Sequence, residues 1–266
     1  MQTVRIGDID IHYKILGSGP PVLLIMGLGG RGDAWGPFAE ALAGAGFTAI
    51  HFDNRDVGWS SLLEGKEYEV ADMAADALGL LDHLNLPQAD LVGISMGGII
   101  SQEILARAPE RVRRAVLIAT TPGGPNAVNP APEVGALLLQ RSAGDPVAML
   151  RTVYGSITAP GFAAANPHLV DKAVEVALQK PTVPAAMMRQ LAAILRWSSW
   201  DRLPNIKTPT LVVHGDADPL VPYANGVAIT ERIPGARLVT LPNVGHLVPM
   251  EAPVALYQAV TEFLKS

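Results

Sequence analysis

The stretch "DLVGISMGGIIS", residues 90–101, sets one serine, Ser95, among glycines at positions 93, 97 and 98. Ahead of it, Ala89–Ile94 reads as a short buried strand. Behind it, residues 99–107 place apolar side chains at helical spacing and stop before Pro109. A strand that becomes a helix within about two residues leaves no room for side chains beside the turn. Glycines at both flanks relieve that crowding, and the central residue stands exposed at a helix N-terminus. The pattern is G-x-S-x-G, a strand-to-helix elbow that presents a serine hydroxyl.

The chain on either side repeats this rhythm. Gln2–Ile6, a Gly7-Asp8 turn and Ile9–Leu16 read as an N-terminal hairpin. Apolar strands follow at 22–26, 48–52, 115–119, 210–213 and 237–241, with helical periodicity at 35–45, 70–84 and 254–264. The alternation implies an α/β fold with a mostly parallel, doubly wound sheet covered on both faces. Between Pro122 and Asp201 the rhythm breaks, with helical patches at 132–141, 145–154, 168–179 and 184–196 and no buried strand. The expected organisation is a core, residues 1–121 and 202–266, interrupted by a helical insertion, residues 122–201. Such an insertion reads as a lid over the strands' C-terminal edge, where open α/β sheets hold their sites.

Composition narrows the function. A chain of 266 residues buries a large core, and 17% charged residues argue against disorder. A net charge of −5 argues against a dedicated nucleic-acid binder. Arg111, Arg113 and Arg114 form the one basic cluster, which reads as a solvated connection into the strand at 115–119. The absence of cysteine excludes disulfides, thiolate metal sites and cysteine nucleophiles. No histidine and carboxylate cluster has metal-site spacing. No G-x-G-x-x-G follows a strand, and "GLGGRGD" lacks the Lys-Ser/Thr of a phosphate loop. With no basic-then-apolar leader and no apolar stretch of membrane length, the expectation is a soluble, cytoplasmic protein without cofactor, metal or membrane partner. The sequence sets no oligomeric state.

A serine hydroxyl is a weak nucleophile until a base takes its proton, and the base needs a third group to orient it. Of six histidines, His12 lies in the hairpin, His51 inside a strand, His83 near a helix end and His168 in the insertion. His214 ends a strand and reads as structural. His246 follows the last strand in a loop with Gly245 beside it, the kind of place where a sheet presents catalytic groups. The acid belongs between serine and histidine in the chain order Ser…Asp/Glu…His. "VVHGDADPLVP" supplies Asp216 and Asp218, and both qualify by spacing. The other site for the acid, after the strand ending at Ala119, holds no carboxylate.

These pieces together resemble the α/β-hydrolase family across nearly the whole chain. The resembling segments are "MGLGG", "FDNRDVGWSS", "GISMGG", "HGDADPLVP" and "VGHLVPMEAP", in the family's order. The resemblance implies that the acid is the second Asp of the G-x-x-D turn, Asp218, with Asp216 a turn-forming neighbour. It implies an oxyanion hole from the backbone N–H groups of Met96 and Leu28, with Gly27, Gly29 and Gly30 letting the backbone approach. Two departures stand out. Met26-Gly27 replaces the family's frequent His-Gly, and Asp56 occupies a position where glycine is usual. The R-D-x-G-x-S form is similar to that of the anthracycline methyl esterases, on the branch that includes enol-lactonases. Asp53, Arg55 and Asp56 are expected to form an ion-pair and turn network.

The resemblance implies a serine hydrolase that cleaves carboxylic esters through an acyl-enzyme with Ser95, His246 and Asp218 as its triad. The apolar, Met-rich insertion points to a small apolar ester or lactone as substrate. Gly27, Trp35, Met187, Met188 and Trp197 are the candidate substrate contacts. Enol-lactone hydrolysis, carbon–carbon bond hydrolysis, cofactor-free perhydrolysis and ligand binding without turnover are the competing expectations.

Overall fold

The computed structural model describes residues 2–139 and 145–266. Eight strands form one sheet: β1 (Gln2–Ile6), β2 (Ile9–Leu16), β3 (Pro21–Ile25), β4 (Thr48–Phe52), β5 (Ala89–Ile94), β6 (Val112–Ile118), β7 (Thr210–Gly215) and β8 (Arg237–Leu241). Their order across the sheet is β1-β2-β4-β3-β5-β6-β7-β8. The N-terminal hairpin joins antiparallel through β2 and β4, and all later pairs are parallel. Strands β5 and β7 are buried at every residue, as expected where helices cover both faces of a parallel sheet.

Helices α1 (Gly36–Gly44), α2 (Val70–His83) and α3 (Met96–Arg107) follow the first strands. The apolar side chains divide into two layers. Met73, Leu80, Ile99, Ile100 and Ile104 of α2 and α3 pack on one face of the sheet. Phe38 and Leu42 of α1 pack on the other, joined by Leu256, Val260 and Phe263 of the C-terminal helix. The chain therefore leaves β3 on one face toward β4, and leaves β5 on the opposite face toward β6. This reversal makes the region beyond the C-terminal ends of β3 and β5 the switch point, where doubly wound sheets bind ligands.

Between β6 and β7 the described chain is helical: α4 (Pro132–Leu139), α5 (Pro146–Ile157), α6 (Phe162–Ala165), α7 (Pro167–Leu178) and α8 (Pro184–Leu195). The expected helix at 132–141 ends at Leu139 among the described residues; its last two positions lie outside them. Pro at the first helical position opens α4, α5, α7 and α8, where its missing N–H costs nothing. Asp145 caps α5 by accepting the Val147 N–H at 2.9 Å. After β7 come α9 (Ala224–Arg232), and after β8 α10 (Val248–Glu251) and α11 (Pro253–Lys265). Helices α9 and α10 are absent from the sequence expectation, because α9 has little apolar content and α10 is a single turn.

The basic cluster also departs from expectation. Arg113 and Arg114 lie within β6, not in a connection ahead of it. Arg113 pairs with the wholly buried Asp90 of β5 at 2.5 Å, and Arg111 with Asp82 at 2.6 Å. No helix among the described residues is long and apolar enough to cross a membrane.

Candidate active site

Ser95 sits between β5 and α3 with φ 55° and ψ −118°. This conformation is costly for a residue with a Cβ and persists only where the surroundings impose it. Four hydrogen bonds do so: Ser95 N–H to the Ile118 carbonyl (2.9 Å), and the Gly98 N–H (2.9 Å), Ile99 N–H (3.1 Å) and Thr120 hydroxyl (2.7 Å) to the Ser95 carbonyl. The glycines answer to packing. A Cβ at Gly97 would stand 2.0 Å from the Ile25 carbonyl oxygen, and one at Gly93 would stand 2.3 Å from that of Gly97. Only hydrogen side chains let β3, β5 and α3 approach this closely.

Across the switch point, β3 ends in the Gly27–Gly30 loop. A Cβ on Gly27 would lie 3.2 Å from the Ser95 Cβ, so this backbone runs directly beside the serine. The Gly30 N–H closes the turn onto the Gly27 carbonyl at 3.1 Å, with Gly29 at φ 64°. The Leu28 N–H makes no hydrogen bond in this turn. Met96 begins α3, where a first-turn N–H has no partner inside the helix.

Two further sheet-edge loops bring Asp218 and His246 together. The His246 Nδ1 lies 2.8 Å from Asp218 Oδ2, and both residues are buried. The other carboxylate oxygen accepts the N–H groups of Leu220 (2.9 Å) and Val221 (2.8 Å), which fixes its orientation. Burial pushes the Asp218 carboxyl up. The charge of His246, the hydrogen bonds of His214 and His246 and the Val221 N–H outweigh it and hold the group at about 2. Asp216 instead accepts the Asn243 N–H at 2.7 Å and pins the β7 turn to the β8 loop. Of the two carboxylates that spacing left open, Asp218 is the one bonded to the histidine.

His214 is buried beneath this pair. Its Nε2–H donates to the Val221 carbonyl at 2.8 Å and stands 3.5 Å from Asp218 Oδ2. Glu251, absent from the sequence expectation, binds the loop on both sides of His246. Its carboxylate accepts the N–H groups of Gly245 (2.8 Å), Leu247 (3.0 Å) and Ala159 (2.8 Å), the last from the inserted segment. The His246 N–H itself donates to the Ile157 carbonyl at 2.8 Å. A carboxylate five residues after a loop histidine was the available signal, but nothing local distinguishes it from a solvated helix-start residue.

The expected substrate contacts lie in different surroundings. Met187 is buried, and a Cβ on Gly29 would meet its Cε at 2.4 Å, so it packs on the loop beside Ser95. Trp35 is corrected to core: it is fully buried against Phe38 in the α1 layer. Met188, one position around α8 from Met187, is 48% exposed at the surface. Trp197 anchors the end of the inserted segment to α3. Its Nε1–H donates to Glu103 of α3 at 2.7 Å, and Arg202 pairs with the same carboxylate oxygen at 2.7 Å. Burial raises the Glu103 carboxyl, yet the Trp197, Arg202 and Arg107 contacts hold it below the ordinary range.

Asp53, Arg55 and Asp56 take the structural ion-pair and turn roles expected of them, each with a partner outside the trio. Asp53 accepts the N–H groups of Gly32 (2.8 Å) and Trp59 (2.9 Å). Arg55 pairs with Asp76 of α2 through two bonds, at 2.6 and 2.8 Å. Asp56, at φ 69°, takes a bidentate pair from Arg189 of α8, both bonds 2.8 Å. No group of three or more potential metal ligands occurs among the described residues.

A family model described as alpha/beta hydrolase fold matches residues 20–253, and the chain belongs to that family. It is 29% identical over 247 residues to "Putative carbamate hydrolase RutD" of Azorhizobium caulinodans, covering 93% of this chain and 92% of that one. It is 32% identical over 251 residues to "Putative non-heme chloroperoxidase" of Synechocystis sp., covering 90% and 89%. The crystal structure of the enol-lactonase from Burkholderia xenovorans LB400 superimposes over 100% of both chains with a TM-score of 0.87 at 26% identity.

Proposed function

We propose that this α/β hydrolase cleaves carboxylic esters, lactones included, through a covalent acyl-enzyme. The observation that carries the reading is the buried 2.8 Å Asp218–His246 pair at the same sheet edge as Ser95. In this reading the Ser95 Oγ attacks the acyl carbonyl carbon while His246 Nε2 takes the hydroxyl proton. The carbonyl π electrons move to oxygen, and the N–H groups of Leu28 and Met96 hold that oxyanion. Collapse of the intermediate expels the alkoxide, which leaves with the proton from His246. Water then attacks the acyl-serine with His246 again the base, which releases the acid and restores Ser95. Asp218 holds the imidazole with Nδ1–H toward itself and Nε2 toward the serine, and it stabilises the charged ring between the two proton transfers.

Residues 122–201 serve as a lid in this reading, with residues 1–121 and 202–266 as the catalytic body. Gly27 and Met187 are the substrate contacts retained, and an apolar methionine over the oxyanion loop favours an acyl or alcohol part with few charges. The likeness to an enol-lactonase and a carbamate hydrolase supports chemistry at an acyl carbonyl. The likeness to a chloroperoxidase favours a second reading on the same residues, in which hydrogen peroxide replaces water as the acyl acceptor.

A fluorophosphonate probe tests the first step. Mass spectrometry is expected to place one adduct on Ser95, and Ser95→Ala is expected to lose both labelling and hydrolysis of simple aryl esters. Adducts elsewhere, or full activity in Ser95→Ala, would remove the mechanism. Adding peroxide and a carboxylic acid separates the readings, since only perhydrolysis yields peracid.

A further inference from the structure

Gln190 is the polar residue on the inward face of α8, in line with Ala186, Met187 and Ala193, and none of its surface is exposed. A buried amide must spend its donors and acceptor on specific partners. The Gln190 Oε1 accepts the Gly29 N–H at 2.9 Å, and its Nε2 donates to the Arg55 carbonyl at 3.0 Å. The same glycine is held from its other side, because the Thr182 hydroxyl donates to the Gly29 carbonyl at 2.9 Å. Gly29 is the positive-φ residue of the turn that contains Leu28.

These contacts have a consequence for the neighbouring N–H. A glycine-rich β-turn interconverts between forms that differ by rotation of its central peptide, at little cost when exposed. Here all three peptides of the turn are held. The central one, Leu28 to Gly29, is held at its N–H by Gln190, and the following one at the Gly29 C=O by Thr182. The preceding one, which carries the Leu28 N–H, is held at the Gly27 C=O by the Gly30 N–H. The Gly29 N–H is taken up by Gln190, and the Leu28 N–H is left without an internal partner beside Ser95. Oxyanion stabilisation depends on donors fixed in advance at the position where charge develops.

We propose that Gln190, assisted by Thr182, is a positioning residue that locks the Gly27–Gly30 turn so that Leu28 presents its N–H to the oxyanion. The inserted segment thereby completes the catalytic centre as well as covering it. The inference rests on the ester-hydrolase reading above.

The test compares wild type, Gln190→Leu and Thr182→Val on a small acetate ester and on a trifluoromethyl ketone. Ser95 adds to the ketone to give a hemiketal oxyanion, so its affinity reports on the hole. In Gln190→Leu, kcat is expected to fall on the order of 10²-fold with KM within about 2-fold, as for loss of one oxyanion donor. Ketone affinity should fall by the same factor as kcat/KM, with an unchanged pH midpoint because the Asp218–His246 pair is untouched. Thr182→Val, isosteric and on a partly exposed side chain, is expected to show the same pattern at roughly 3- to 10-fold. If circular dichroism shows Gln190→Leu unfolded, Thr182→Val decides. A folded variant with normal kcat, or one that loses kcat while keeping wild-type ketone affinity, overturns the inference. Wild type that the fluorophosphonate fails to label at Ser95 overturns the ester-hydrolase reading itself, and this inference with it.

Discussion

At the scale of the residue, two aspartates two positions apart behave as different chemical groups because their partners differ. Asp218 faces an imidazole and two backbone N–H groups, whereas Asp216 closes a turn. Asp218→Asn is expected to lower kcat by about 10⁴ for ester hydrolysis, since the amide stabilises the wrong histidine tautomer. Asp216→Asn is expected to cost about 1 kcal/mol of stability and little activity. Steady-state kinetics on both variants checks the ranking. His51 gives a second prediction at this scale. It is buried in β4, its Nε2 has no partner, and burial lowers it to about 4. Its folded value lies below the unfolded one, so the unfolded chain binds the proton first as pH falls. The neutral ring therefore contributes fully above about pH 6.5, and roughly 3 kcal/mol is lost as pH falls to about 4. Urea midpoints measured across that window should decline in wild type and decline less in His51→Gln.

At the scale of the element, α8 shows how one helix carries three functions on three faces. Met187 and Gln190 turn inward to the Gly27–Gly30 loop, Arg189 reaches sideways to Asp56, and Met188 and Leu195 meet solvent. The one-residue step between Met187 and Met188 rotates the side chain about 100° around the axis, which is why adjacent methionines differ so fully. Met187→Ala is expected to change the preference among ester chain lengths, with a smaller effect on an acetate ester. Met188→Ala should leave both unchanged. Rates across a chain-length series read the difference, and equal effects from the two variants would remove Met187 from the substrate surface.

At the scale of the whole molecule, the inserted segment is tied to the sheet at both ends of the site. Residues 157–159 bond the His246 loop directly and through Glu251, while α8 bonds the Gly29 and Asp56 loops. The Asp56–Arg189 contact is the ion pair among these links, with the Asp56 side chain wholly buried. Burial raises the Asp56 carboxyl, and the Arg189 and Leu63 N–H bonds bring it below the ordinary range. Asp56→Asn keeps a residue that tolerates positive φ but leaves the arginine without its charge partner. The expected loss is about 3 kcal/mol of unfolding free energy, measured by denaturant titration. A loss of a few tenths would mean that the pair joins surfaces already held by packing.

The sequence by itself determined the elbow, the strand order of chemistry along the chain and the helical character of the insertion. These are local consequences: glycine spacing around Ser95, period-2 and period-3.6 apolar patterns, and the turn residues after each strand. It could not separate Asp216 from Asp218 by spacing, because two positions in a turn differ only in where their side chains point. Tertiary structure decided that choice by setting the β8 loop against β7. It also decided that Trp35 is core, that Asp56 pairs with Arg189 across 133 residues, and that Gln190 reaches Gly29 across 161. Such pairings are invisible to local pattern, since a buried polar group finds its partner only when distant segments are folded against each other.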